Sequence, residues 1–125
     1  MKSIKIALTS MFLILSSYAS AVEISSNVGL SSDYIWRGMT QTDGDPAVNG
    51  GFDLSTDNGF YFGTWASNAK YGTASMELDI YIGFSGEMAE NMTYDVGYIS
   101  VIYPGYDAGD FEEAYVGFNI YGLSI

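Results

Sequence analysis

Met76-Glu77-Leu78-Asp79-Ile80-Tyr81-Ile82-Gly83-Phe84 puts an apolar side chain at every even position and carries Glu77, Asp79 and Tyr81 at odd ones. Successive side chains leave a strand on opposite faces, so this stretch is a two-faced ribbon about ten residues long. The same parity extends outward: Asp33, Arg37, Asp53 and Asp95 are also odd-numbered. A strand that crosses an outer membrane meets lipid on one face and water on the other, and shows this pattern.

Period-2 reading and turn residues mark six segments, at about 27–37, 47–55, 60–68, 75–85, 92–103 and 111 onward. Between them fall a polar loop at 38–46, an Asn58-Gly59 turn at 56–59, a loop at 70–74, a turn at 86–91 and an acidic loop at 104–110. Asn-Gly is the strongest short hairpin signal, and Asp-Gly-Asp-Pro at 43–46 is turn chemistry. Connections one, three and five read as the longer ones, as outside loops do in such barrels. Tyr34, Trp36, Phe60, Phe84 and Tyr94 gather near strand ends, where an interfacial aromatic girdle would lie. The fold expected is all-β: an antiparallel up-and-down meander of about six long strands, forming part of an outer-membrane β-barrel. A soluble periplasmic β-sandwich also alternates, but its strands recur about every 8–12 residues. Here the strands run near ten residues, longer than the usual five or six, which favours the membrane.

Residues 1–21 read as a cleaved export leader, with Lys2 and Lys5 before the apolar run 6–15 and Ala19-Ser20-Ala21 as the small-x-small site. That apolar run is too short for a helical anchor across a bilayer of about 30 Å. Residues 22–125 are then one β-barrel segment of the cell outer membrane. They hold two basic residues, Arg37 and Lys70, against 15 acids, a net charge of −13. Such a surface repels phosphate, so no nucleic acid partner is expected. Without His or Cys, imidazole and thiolate ligands and every His-based triad are excluded. Neither a metal nor another cofactor is expected.

The resemblance becomes specific in the first hairpin. Ser32-Asp33-Tyr34-Ile35-Trp36-Arg37-Gly38-Met39-Thr40-Gln41, the loop ending Asp45-Pro46-Ala47, and Gly50-Gly51-Phe52-Asp53 resemble the opening of the TorF-like porin family of proteobacteria. Gly63-Thr64-Trp65-Ala66-Ser67-Asn68, Glu77-Leu78-Asp79-Ile80-Tyr81 and Tyr103-Pro104-Gly105 are similar to later landmarks of that family. The resemblance implies an outer-membrane barrel acting as a porin, and a chain matching the N-terminal half of longer members. Six strands do not close a barrel, since eight is the usual minimum. A truncated form is therefore expected, or one that self-associates through its open strand edges.

If the odd face lines a lumen, the candidates on it are Asp33, Arg37, Asp53, Tyr61, Trp65, Glu77, Asp79, Tyr81, Asp95 and Tyr115. Rings of carboxylates favour cations, so small polar solutes or cations are the expected cargo and outer-membrane lipid the surrounding partner. Arg37, the one base on that face, is expected to pair with Asp33 or Asp53. The same residues would equally make a wet, hydrogen-bonded interior in a non-transporting structural or binding barrel. Glu77 and Asp79 share a face roughly 6–7 Å apart, within the range of glycosidase pairs. Alternation explains them without catalysis, and Glu112 and Glu113 point to opposite faces. No enzyme activity is expected.

Overall fold

The computed structural model describes residues 22–125; the export leader expected over 1–21 lies outside them. The chain is all-β, a seven-stranded antiparallel sheet curled into a half-barrel. Six strands are long: β1 (Val22–Ser31), β4 (Ala47–Thr56), β5 (Phe60–Tyr71), β6 (Ala74–Ala89), β7 (Met92–Ile102) and β8 (Phe111–Ile120). Their order in the sheet follows the chain, as a meander must, and β9 (Leu123–Ser124) extends it beside β8. A separate two-stranded hairpin, β2 (Ile35–Trp36) with β3 (Met39–Thr40), lies between β1 and β4 in sequence.

One register rule makes the sheet two-faced throughout. Ser25 faces Asp53, Asp53 faces Gly63, Gly63 faces Tyr81, Tyr81 faces Ile99 and Ile99 faces Glu113. Odd residues thus pair with odd ones across all five main ladders, which departs only at bulges near the ends of β5 and β6. Odd positions form the concave face and even ones the convex face. The convex face is apolar and open: Val28 is 81% exposed, Leu30 82%, Ile24 62% and Val116 65%. Phe52, Ile80, Ile82, Phe84 and Phe118 continue it across the sheet.

Curling shortens the inner face, and glycine makes that possible there. A Cβ on Gly63 would stand 2.3 Å from the Tyr81 ring, on Gly83 2.3 Å from the Tyr61 hydroxyl, and on Gly97 2.3 Å from the Tyr115 hydroxyl. Each tyrosine reaches across to the glycine opposite it on the neighbouring strand, which replaces side-chain bulk with a cross-strand ring. The small buried core sits at the end of the sheet bearing the longer loops: Ala74, Val101 and Tyr103, with Ile99, Tyr106 and Phe111 against them. Tyr71 stacks beside both Tyr103 and Tyr106, at centroid separations of 4.8 and 5.5 Å.

Several boundaries differ from the sequence reading. The first strand occupies Val22–Ser31 instead of 27–37, because 32–46 forms a compact loop whose β2–β3 hairpin carries its own alternation. Arg37 and Gly38 form the tip of that hairpin with φ of 48° and 81°, the paired left-handed values of a type I′ turn. The connection expected at 70–74 contracts to Gly72-Thr73, and that at 86–91 to Glu90-Asn91, as β5 and β6 run on. Only 32–46 and 103–110 remain long at that end of the sheet. Asn58-Gly59 does turn a hairpin, but as a three-residue loop: Gly59 N–H donates to Thr56 O at 3.0 Å with Gly59 at φ 94°. Finally, the sixth long strand stops at Ile120. Tyr121-Gly122, both at positive φ, turn the chain into β9.

Candidate functional site

Eight of the ten candidate residues line the concave wall: Asp53, Tyr61, Trp65, Glu77, Asp79, Tyr81, Asp95 and Tyr115 all sit at odd positions of β4 to β8. The wall pairs acids with phenols. Tyr81 Oη donates to Asp53 Oδ1 at 2.5 Å and Tyr61 Oη to Asp95 Oδ1 at 2.5 Å. The Tyr61 and Tyr115 hydroxyls lie 2.5 Å apart, so one chain of hydrogen bonds runs from β7 through β5 to β8. A bond to an ionised acceptor is roughly twice as strong as a neutral one, and here it also fixes the ring lying across the glycine beneath it.

The other two candidates belong to the loop. Asp33 Oδ1 accepts from Thr40 Oγ1 at 2.6 Å and lies 3.0 Å from Thr42 Oγ1, in a knot whose Thr42 is fully buried. Arg37 bonds neither Asp33 nor Asp53, the partners its expected strand position implied. Its Nη2 reaches both carboxylate oxygens of Glu113 on β8 at 3.0 Å. The guanidinium also lies 4.2 Å from the Trp36 ring centroid.

These contacts carry the loop onto the inner face. Tyr34 packs edge-on against Trp65 at 5.3 Å, and Trp36 against Phe111 at 5.9 Å. Tyr34 Oη donates to Glu77 Oε1 at 2.8 Å, while Tyr103 Oη donates to Glu77 Oε2 at 2.7 Å. Glu77 is only 4% exposed, so both carboxylate oxygens are satisfied by phenols in place of water. Burial, and then the Glu77 carboxylate, push the Tyr34 and Tyr103 phenols above the usual tyrosine range, which keeps both as donors. Gln41 O accepts from Lys70 N–H at 2.7 Å, and Lys70 pairs with Asp45, anchoring the return limb to β5.

A cavity of about 110 Å³ remains beneath the loop, lined by Tyr34, Trp36, Asp79, Ile99, Tyr103 and Phe111 among others. Asp79 Oδ1 is buried there without a hydrogen-bond partner. Sequence reasoning missed Tyr34, Tyr103 and Glu113. Glu113 and Tyr103 obey the odd rule and were legible by it; Tyr34 is even and reaches the inner face only because its loop folds inward.

An antiparallel half-barrel with an open apolar outside and an inside of acids and phenols is the class of architecture these residues define. Residues 16–122 match the family described as a bacterial protein of unknown function (Gcw_chp), and the chain belongs to that family. No curated protein and no solved structure matches the chain.

Proposed function

We propose that this chain forms wall of an outer-membrane β-barrel that passes small polar solutes, with a preference for cations. The observation that carries this reading is the split between faces, maintained over the long strands except at Glu112 near the start of β8. Large apolar side chains stand exposed on the convex side, where a soluble sandwich would need a second sheet to cover them. Strands of ten residues rise about 33 Å, and a tilt near 40° makes that match an apolar band of about 25 Å. On the concave side of the described residues stand Asp53, Glu77, Asp79, Asp95 and Glu113 with a single base, Arg37. The resemblance to TorF-like porins supports the same reading, including export.

A non-transporting structural barrel is the second reading. It draws on the loop 32–46 lying within the concavity and on the phenols that satisfy the inner acids. Recovery in the outer-membrane fraction with heat-modifiable gel migration is expected under both; release in osmotic-shock fluid refutes both. Planar-bilayer recording then separates them. Cation-preferring channel events are expected of the porin, and a membrane-inserted barrel silent under voltage leaves the structural reading.

A further inference from the structure

We infer that the loop 32–46 is an internal strap that sets the aperture of the passage, and that Arg37 with Glu113 is the contact that keeps it docked. This rests on the porin reading above. The strap leaves the wall at Ser31 and returns at Ala47, yet its tip reaches β8, the strand farthest from β1 among the long ones. The wall residues that Tyr34, Trp36 and Arg37 touch are on the concave face: Trp65, Glu77, Phe111 and Glu113. It therefore crosses the curl as a chord instead of standing away from it.

Its two attachments differ in kind. The Tyr34 end is half-buried against Trp65 and the buried Glu77, and acts as a fixed root. The tip is a tight turn that holds Arg37 in the left-handed region, uncommon for a residue with a side chain. It is held by an ion pair whose side chains are 61% and 39% exposed, and by the Trp36–Phe111 contact. Exposed pairs contribute little, so tip docking is a balanced equilibrium while the root persists. Undocking removes the one base that the described residues place on the inner face and uncovers Glu113, next to the cavity that holds Asp79. The passage widens and becomes more acidic in the same step.

Two measurements on the refolded full chain test this. Trypsin can cut after Arg37 only when the hairpin leaves its docked form. Glu113→Gln is expected to speed that cut about two- to fivefold, the range an exposed ion pair contributes. In planar bilayers at 1 M KCl, where the Debye length is about 3 Å, conductance reports width more than charge. Arg37→Glu and Glu113→Arg should each raise unitary conductance, and the doubly reversed chain should return to the parent value. Singles that move conductance in opposite directions, or not at all, overturn the aperture role. Silence in every form, with the trypsin difference intact, overturns the porin reading and the aperture role with it. Equal cutting of parent and Glu113→Gln overturns the docked tip.

Discussion

Placing a methyl group on Gly63 should destabilise the wall, and removing the ring above it should reverse the sign. An added Cβ would meet Tyr81 Cε2 at 2.3 Å, Tyr81 Cζ at 2.4 Å and Asp53 Oδ1 at 2.5 Å, whereas an ordinary contact begins near 3.4 Å. The Tyr81 ring must therefore move by about 1 Å, and its bond to Asp53 goes with it. Overpacking of this kind costs about 1–3 kcal/mol. Loss of a hydrogen bond to a carboxylate adds about 1 kcal/mol after discounting for the partial exposure of both groups. Gly63→Ala should then cost about 3 kcal/mol. In a Tyr81→Ala background the ring is absent and the Asp53 carboxylate, released from it, can turn aside, so alanine in the strand is favoured over glycine by about 0.5–1 kcal/mol. Urea titration of the detergent-refolded chain measures all four members of the cycle. A typical urea dependence of about 1–3 kcal/mol per molar converts the first effect into a midpoint loss of about 1 M or more. If Gly63→Ala costs the same with and without the Tyr81 ring, the ring-over-glycine account of the inner face is wrong.

Three further outcomes are expected. Tyr103→Phe leaves a 4%-exposed carboxylate with one donor in place of two, and should cost about 1.5–3 kcal/mol in the same titration; a change below about 0.5 kcal/mol refutes the Glu77 node as the strap's root. Ile82→Arg places a charge on the convex face near mid-strand and should cost about 2–4 kcal/mol on refolding into lipid vesicles, while tolerance of it removes lipid from that face. Glu77→Gln with Asp79→Asn should lower cation preference, read as a shift of reversal potential in a salt gradient; unchanged selectivity argues against a lumen beside those residues.

The parity of charged residues was legible because the turns preserve it. Asp57-Asn58-Gly59 and the whole of 32–46 return the chain with odd positions again on the inner side, and beside the two-residue turns Gly72-Thr73 and Glu90-Asn91 a bulge restores the match. Concave placement of Asp53, Tyr61, Glu77, Asp79, Tyr81 and Asp95 therefore followed from numbering alone. The strand at 27–37 was misplaced for the same reason. Alternation at Asp33, Ile35 and Arg37 continues past Ser31, and period-2 reading has no means of telling a wall strand from a short hairpin lying against it.

The strap could not be read from sequence because what defines it is distance along the chain. Arg37 and Glu113 are separated by 76 positions and Tyr34 and Glu77 by 43, and only the curl of the sheet brings them together. That curl depends on Gly63, Gly83 and Gly97 yielding their space to tyrosines of the next strand. Tyr81 uses Asp53 and Tyr61 uses Asp95 as acceptor, while Tyr115 bonds the Tyr61 hydroxyl, so these two mid-wall acids are committed to holding the wall's shape. Glu113, 39% exposed and held by the exposed Arg37 alone, is the inner acid most open to a passing solute. Selectivity should accordingly respond far more to changes at Glu113 than at Asp53 and Asp95, whose replacement should be felt first as lost stability.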